Sequence, residues 1–152
     1  PNMEIGNIED IDEKDYKNNK PTFLGYYAQI VKRYKGINPD AKFFFVTFPN
    51  SDTPERDDRT HGMINALYAL ADYFENAYVI DLYKYGPVYN REFEKKFFLN
   101  SHMNPSGYIL TARIIDSYID YIVRHNPSDF NTVWSMAEKE RLVLPFMSDE
   151  KD

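Results

Sequence analysis

His102 is the residue of this chain best suited to moving a proton. It stands in the run Phe97-Phe98-Leu99-Asn100-Ser101-His102-Met103-Asn104-Pro105-Ser106-Gly107-Tyr108, a polar loop that leads into a long apolar-periodic segment, so the sequence sets an imidazole at a helix entrance. A free imidazole titrates at about pH 6.5, which suits it to taking a proton from a hydroxyl nucleophile and returning it to a leaving group. Ligands of parallel α/β proteins collect beyond the carboxyl ends of strands, and a loop just before a helix lies near that region. The competing role for a loop histidine is to cap or pack the loop.

Other reactive side chains are less well placed. Asp81, at the end of an apolar run, is a possible acid to orient His102, although an Asp at such a point commonly caps the following loop. Glu92 and Glu94 offer an alternative carboxylate, yet they belong to the charged stretch 91–96, which reads as a solvated face. Ser101 and Ser106 flank the histidine without the strand-to-helix elbow that exposes a catalytic serine. In Arg56-Asp57-Asp58-Arg59-Thr60-His61 adjacent Asp side chains diverge on a helix and two Arg repel a cation, so a salt-linked first turn is expected and no metal. His125 is expected to meet the last carbonyls of its helix, and the Tyr pairs 26/27 and 118/121 to form core and rim.

The elements that must hold these residues follow from patterning. Residues 1–21 are rich in Asp, Glu, Asn and Lys and read as a polar arm or surface loop without an element of its own. Thr22 can cap a helix in which Tyr26, Tyr27, Ile30, Val31 and Tyr34 recur at three-to-four spacing up to Gly36. Asn38-Pro39-Asp40 then turns the chain into Lys42-Phe43-Phe44-Phe45-Val46-Thr47-Phe48, a strand apolar on both faces and therefore expected to be parallel and buried. A second helix is expected after Ser51-Asp52-Thr53-Pro54-Glu55, with Met63, Leu67, Leu70, Ala71 and Phe74 on one face. Tyr78-Val79-Ile80-Asp81-Leu82-Tyr83 reads as a second strand closed by Gly86-Pro87. The strongest helical signal is 105–125, with Tyr108, Ile109, Ala112, Ile115, Ile119 and Ile122 along one side and Asn126-Pro127 as its stop. Beyond it, Phe130, Val133, Trp134, Met136 and the apolar run 142–146 are expected to dock as an extension, 127–152.

This alternation of helix and strand is the rhythm of an α/β sheet with crossover connections. Two strands are too few for it, because parallel strands buried on both sides need neighbours for their edge amides. Composition bounds the remainder. The 152 residues, 43% of them hydrophobic, suffice for one globular domain, and 16% aromatic content excludes disorder over most of the length. A net charge of −6 without a basic run argues against nucleic acid as a partner. The absence of Cys excludes disulfides, thiol catalysis and iron–sulfur sites. No apolar run approaches the roughly 20 residues of a membrane span, and no cofactor is implied.

The segment His102-Met103-Asn104-Pro105-Ser106-Gly107-Tyr108, continuing Ile109-Leu110-Thr111-Ala112, resembles the last block of the SGNH hydrolases, the GDSL-type lipases and esterases. Upstream, Asn38-Pro39-Asp40-Ala41-Lys42 before a strand ending Val46-Thr47-Phe48-Pro49, and Tyr78-Val79-Ile80-Asp81-Leu82, resemble the segments that precede that block. The resemblance covers 22–126 and implies a three-layer αβα, flavodoxin-like sheet present only in its C-terminal part. It also implies that His102 is the general base of a Ser-His-Asp triad, with Asn104 fixing the loop and Gly107 admitting close helix packing. The family's Gly-Asp-Ser block has no counterpart, its Gly-x-Asn-Asp block is not reproduced by Gly6-Asn7-Ile8-Glu9-Asp10, and Leu99 stands where the triad acid belongs, three residues before the His.

These readings lead to one expectation and one alternative. The expectation is the C-terminal portion of a serine ester hydrolase acting on small acyl esters or acetylated carbohydrates, inactive alone, with the nucleophile Ser on a preceding segment. That missing segment, or a second copy, is expected to pair with the open sheet edge. The alternative is a non-catalytic, degenerate SGNH-like interaction domain, which Leu99 favours and the intact 102–108 block disfavours.

Overall fold

The computed structural model describes residues 3–52 and 57–130 and shows a mixed α/β chain, 59% helix and 11% strand, with small sheets. The chain divides into two compact units, Pro1–Asp116 and Ser117–Asp152.

In the first unit, Thr22 starts helix α1, Phe23–Ile37, by accepting a hydrogen bond from the Gly25 amide at 3.1 Å. The helix buries Leu24, Gly25, Ala28 and Val31, while Tyr26, Ile30 and Tyr34 point to solvent. The expected stripe is thus displaced around the helix: Leu24 and Ala28 complete the inner face, and Gly36 lies inside the helix instead of ending it. Strand β1, Phe43–Val46, pairs in parallel with β2, Ala77–Ile80, joining Phe43 to Ala77 and Val46 to Ile80 in register. Helix α2, Asp57–Tyr73, makes the crossover and buries Ile64, Ala66, Leu67 and Leu70. Phe45 meets Ala66, Leu67 and Leu70 of α2, together with Leu24, Ala28 and Val31, in the main core.

Both strands are shorter than expected. Val46 is 42% exposed and Phe48 49%, so the face of β1 opposite the core is half open. After Ile80 the chain leaves the sheet: Asp81 caps a short helix α3, Leu82–Tyr85, by accepting from the Lys84 amide at 2.9 Å. Helix α4, Arg91–Phe97, occupies the stretch read as a solvated face; Asn90 caps it, and Phe93 on its inner side is buried.

The polar arm is corrected at its apolar positions. Ile8–Asp10 and Tyr16–Asn18 form 3₁₀ turns, Ile11 is buried in the core, and Ile5 and Ile8 pack against it. A buried carboxylate ties this segment to α1: Asp10 accepts from the Thr22 hydroxyl at 3.0 Å and the Asn7 amide at 3.1 Å, and pairs with Lys20 at 2.9 Å. The Lys20 ammonium is the main reason that the Asp10 carboxyl is held below the usual carboxylate range; burial opposes the shift, and the Asn7 amide and Thr22 hydroxyl add to it. Gly6, at φ 77°, crosses so close that a Cβ would collide with Asp10 Oδ2 and Thr22 Oγ1.

Helix α5, Pro105–His125, has the bounds expected of it and runs from the first unit into the second. Its solvent side differs from the expected one: Tyr108, Ile109 and Ala112 are exposed, and Gly107 and Ile122 are its buried residues. Within the second unit, His125 stacks on Tyr121 at 3.9 Å and its Nδ1 lies 2.8 Å from the Tyr121 carbonyl. A final 3₁₀ turn, Pro127–Phe130, buries Phe130. Val133, Trp134, Met136 and the run 142–146 lie outside the described residues. Among the described residues, no helix is long and apolar enough to cross a membrane.

Candidate functional site

The stretch read as a polar loop is a two-residue hairpin. Strand β3, Phe98–Leu99, follows α4 directly and pairs antiparallel with β4, His102–Met103. Asn100 and Ser101 make the turn, with Asn100 at φ 59°, a left-handed conformation that Asn adopts more readily than most side chains. The Asn104 amide closes the hairpin base by donating to the Phe97 carbonyl at 2.8 Å.

Asn104 then starts α5. Its Oδ1 accepts from the Gly107 amide at 2.9 Å, and its Nδ2 donates to the Lys96 carbonyl at 2.8 Å, so one side chain joins the end of α4 to the beginning of α5. Gly107 lies against the hairpin: a Cβ there would stand 2.5 Å from the Phe97 carbonyl oxygen and 3.2 Å from the Met103 Cβ. His102 is thereby presented at the mouth of α5 on a short, internally bonded support. Its ring is exposed, and among the described residues it makes no hydrogen bond or ion pair.

A residue that the sequence reading passed over connects this support to the sheet. Tyr89 donates its amide to the Asn50 carbonyl at 2.7 Å and forms a parallel bridge with Ser51, in the loop beyond the carboxyl end of β1. Its ring stacks on Phe93 at 4.3 Å and meets Phe98 edge-on at 5.8 Å. Its hydroxyl lies 3.3 Å from Thr111 Oγ1 on α5, and Thr111 in turn contacts Met103 Sδ at 3.5 Å. The aromatic spacing 89, 93, 97 is helical and was the available signal.

Asp81 is not joined to His102. Its buried carboxylate accepts from Tyr68 at 2.7 Å and Thr47 at 3.2 Å as well as from the Lys84 amide, and no hydrogen bond links it to the imidazole. These three donors fix the carboxyl end of the parallel pair: Thr47 Oγ1 also accepts from the Tyr83 amide at 3.0 Å. Glu92 pairs with Lys95 at 2.7 Å on the surface and is likewise apart from the imidazole. Leu99 is the register partner of His102 and is 69% exposed. His61 meets Tyr83 edge-on at 4.9 Å, and Arg59 donates to the Met3 carbonyl at 2.7 Å. Among the described residues no group of His, Asp and Glu has the arrangement of a metal site.

No family model, curated protein or solved structure matches the chain.

Proposed function

We propose that the chain is the C-terminal portion of an SGNH-type serine ester hydrolase and that His102 is its general base. The observation that carries the reading is the presentation of this ring: exposed and, among the described residues, without a hydrogen-bonded partner, on a hairpin at the mouth of α5 that Tyr89 joins to the loop beyond β1. The parallel sheet, two-stranded among the described residues, supports it as well. The Phe43 amide bonds to the Asn76 carbonyl just before β2 and the Thr47 amide to the Ile80 carbonyl at its end, so by the alternation of a parallel ladder Val46 directs its amide away from β2. That outer edge, beside the half-open Val46 and Phe48, suits a further parallel strand of a flavodoxin-like αβα sheet.

In the proposed reaction the nucleophile Ser and the oxyanion donors lie on chain N-terminal to position 1. His102 takes the Ser hydroxyl proton as the oxygen attacks the ester carbonyl, then delivers that proton to the departing alcohol. Water, deprotonated by the same imidazole, releases the acid and restores the Ser. The substrates are small acyl esters or acetylated carbohydrates. Hydrolysis of p-nitrophenyl acetate tests the reading: this chain alone is expected to be inactive, and the protein extended through a Gly-Asp-Ser segment active in a His102-dependent way.

Leu99 supports a second reading. With an apolar residue opposite His102 and the Asp81 carboxylate engaged by three other donors, no acid among the described residues is bonded to the imidazole, and the domain would serve as a degenerate, non-catalytic interaction module. Failure of the extended protein to turn over any ester would favour it.

A further inference from the structure

We infer that Tyr89 is a positioning residue for His102, holding the hairpin that carries the imidazole in fixed relation to the Asn50-Ser51 loop; this rests on the general-base reading of His102. Three separate attachments converge on the one side chain and its amide. The backbone grips the loop beyond β1 through the 2.7 Å bond to Asn50 and the bridge to Ser51. The ring is stacked on Phe93 of α4 and set edge-on to Phe98 of β3. The hydroxyl reaches Thr111 of α5, whose own hydroxyl touches Met103, the residue after His102.

The geometry matters because the hairpin's other attachments, the Asn104 cap and the Gly107 contact, join it to α4 and α5 and not to the parallel sheet. Its strands are two residues each and pair only with one another among the described residues, so they carry no register to the parallel sheet. Packing of the half-buried Tyr89 ring on the buried Phe93 ring therefore fixes where the imidazole stands relative to the carboxyl end of β1. A displacement of about 1 Å at a reacting group costs on the order of a hundredfold in rate.

Amide hydrogen exchange on the full chain tests this without reference to catalysis. In Tyr89→Ala, the Asn104 amide, bonded to Phe97, and the Tyr108 amide, bonded to Asn104, should exchange roughly tenfold faster, while the Phe74 amide, bonded to Leu70, keeps its rate. Tyr89→Phe retains both ring contacts and should stay within about threefold of the parent, as should Thr111→Val, which removes the same hydroxyl contact from the other side. Equal acceleration at all three amides, or none, would overturn the tether; so would a Tyr89→Phe protein as loose as Tyr89→Ala. In the extended hydrolase Tyr89→Ala should lower kcat with KM retained, and Tyr89→Phe should restore it. Local loosening combined with ester hydrolysis indifferent to His102 would retain the tether and overturn the catalytic reading.

Discussion

His102 and Leu99 face one another as register partners of the β3–β4 hairpin, across a turn of two residues. A carboxylate at position 99 would therefore stand beside the imidazole and stabilise its protonated form during ester cleavage. Leu99→Asp is expected to raise kcat of the extended hydrolase about two- to fivefold, the size of an exposed ion pair. Leu99→Ala, at an exposed site, should leave stability within about 0.5 kcal/mol. Steady-state hydrolysis and urea unfolding check the two halves.

Asp81 should behave as a structural carboxylate. Replacing it by Ala leaves the Thr47 and Tyr68 hydroxyls and the Lys84 amide without their acceptor, at a cost of about 2–3 kcal/mol. Urea unfolding measures the loss. Were Asp81→Asn instead to abolish hydrolysis at unchanged stability, the acid would have been found.

Gly107→Ala tests the close approach of α5 to the hairpin. The added methyl meets a backbone carbonyl, which cannot swing aside, so a loss of about 1–3 kcal/mol is expected despite the better helix propensity of Ala. Gly36→Ala, where a Cβ meets nothing within 4 Å, is the control and should stabilise by about 0.4–1 kcal/mol. Both are read from denaturant midpoints.

Acid should release the N-terminal segment. The Asp10 carboxyl is held below its ordinary value in the folded chain, so its contribution is fully present above the unfolded-state pKa of about 3.9 and is lost as pH falls through the lower folded value. The pair also raises the Lys20 pKa above the ordinary lysine value of 10.5, so its contribution fades only as pH rises past that point. Unfolding midpoints between pH 5 and pH 2 should fall less steeply in Asp10→Asn than in the parent.

The long-period elements were legible in the sequence and the short ones were not. Helix α5 announced itself through its apolar repeat and its Pro boundaries, and Thr22 marked the start of α1 because a hydroxyl before an apolar repeat is a specific cap signal. Helix α4 was hidden because five of its seven residues are charged, and only Phe93 and Phe97, in step with Tyr89, betray an inner face. Asp81 is the cap that an Asp at such a point commonly forms, its side chain satisfying the Lys84 amide, but the apolar run 78–83 did not show that the strand already ends at Ile80. The docking of Ile5, Ile8 and Ile11 depends on Asp10 meeting Thr22 and Lys20, contacts between residues with no periodic relation. Of the candidate site, the histidine, its Asn104 cap and Gly107 stand in one short stretch of sequence, whereas the Tyr89 tether joins three segments and needs the fold to be seen.

The most direct measurement is p-nitrophenyl acetate hydrolysis by the chain joined to its N-terminal segment, with and without His102→Ala. The account predicts that the substitution lowers kcat by about 10²- to 10⁴-fold while the protein stays folded. Equal rates for the two proteins would contradict it.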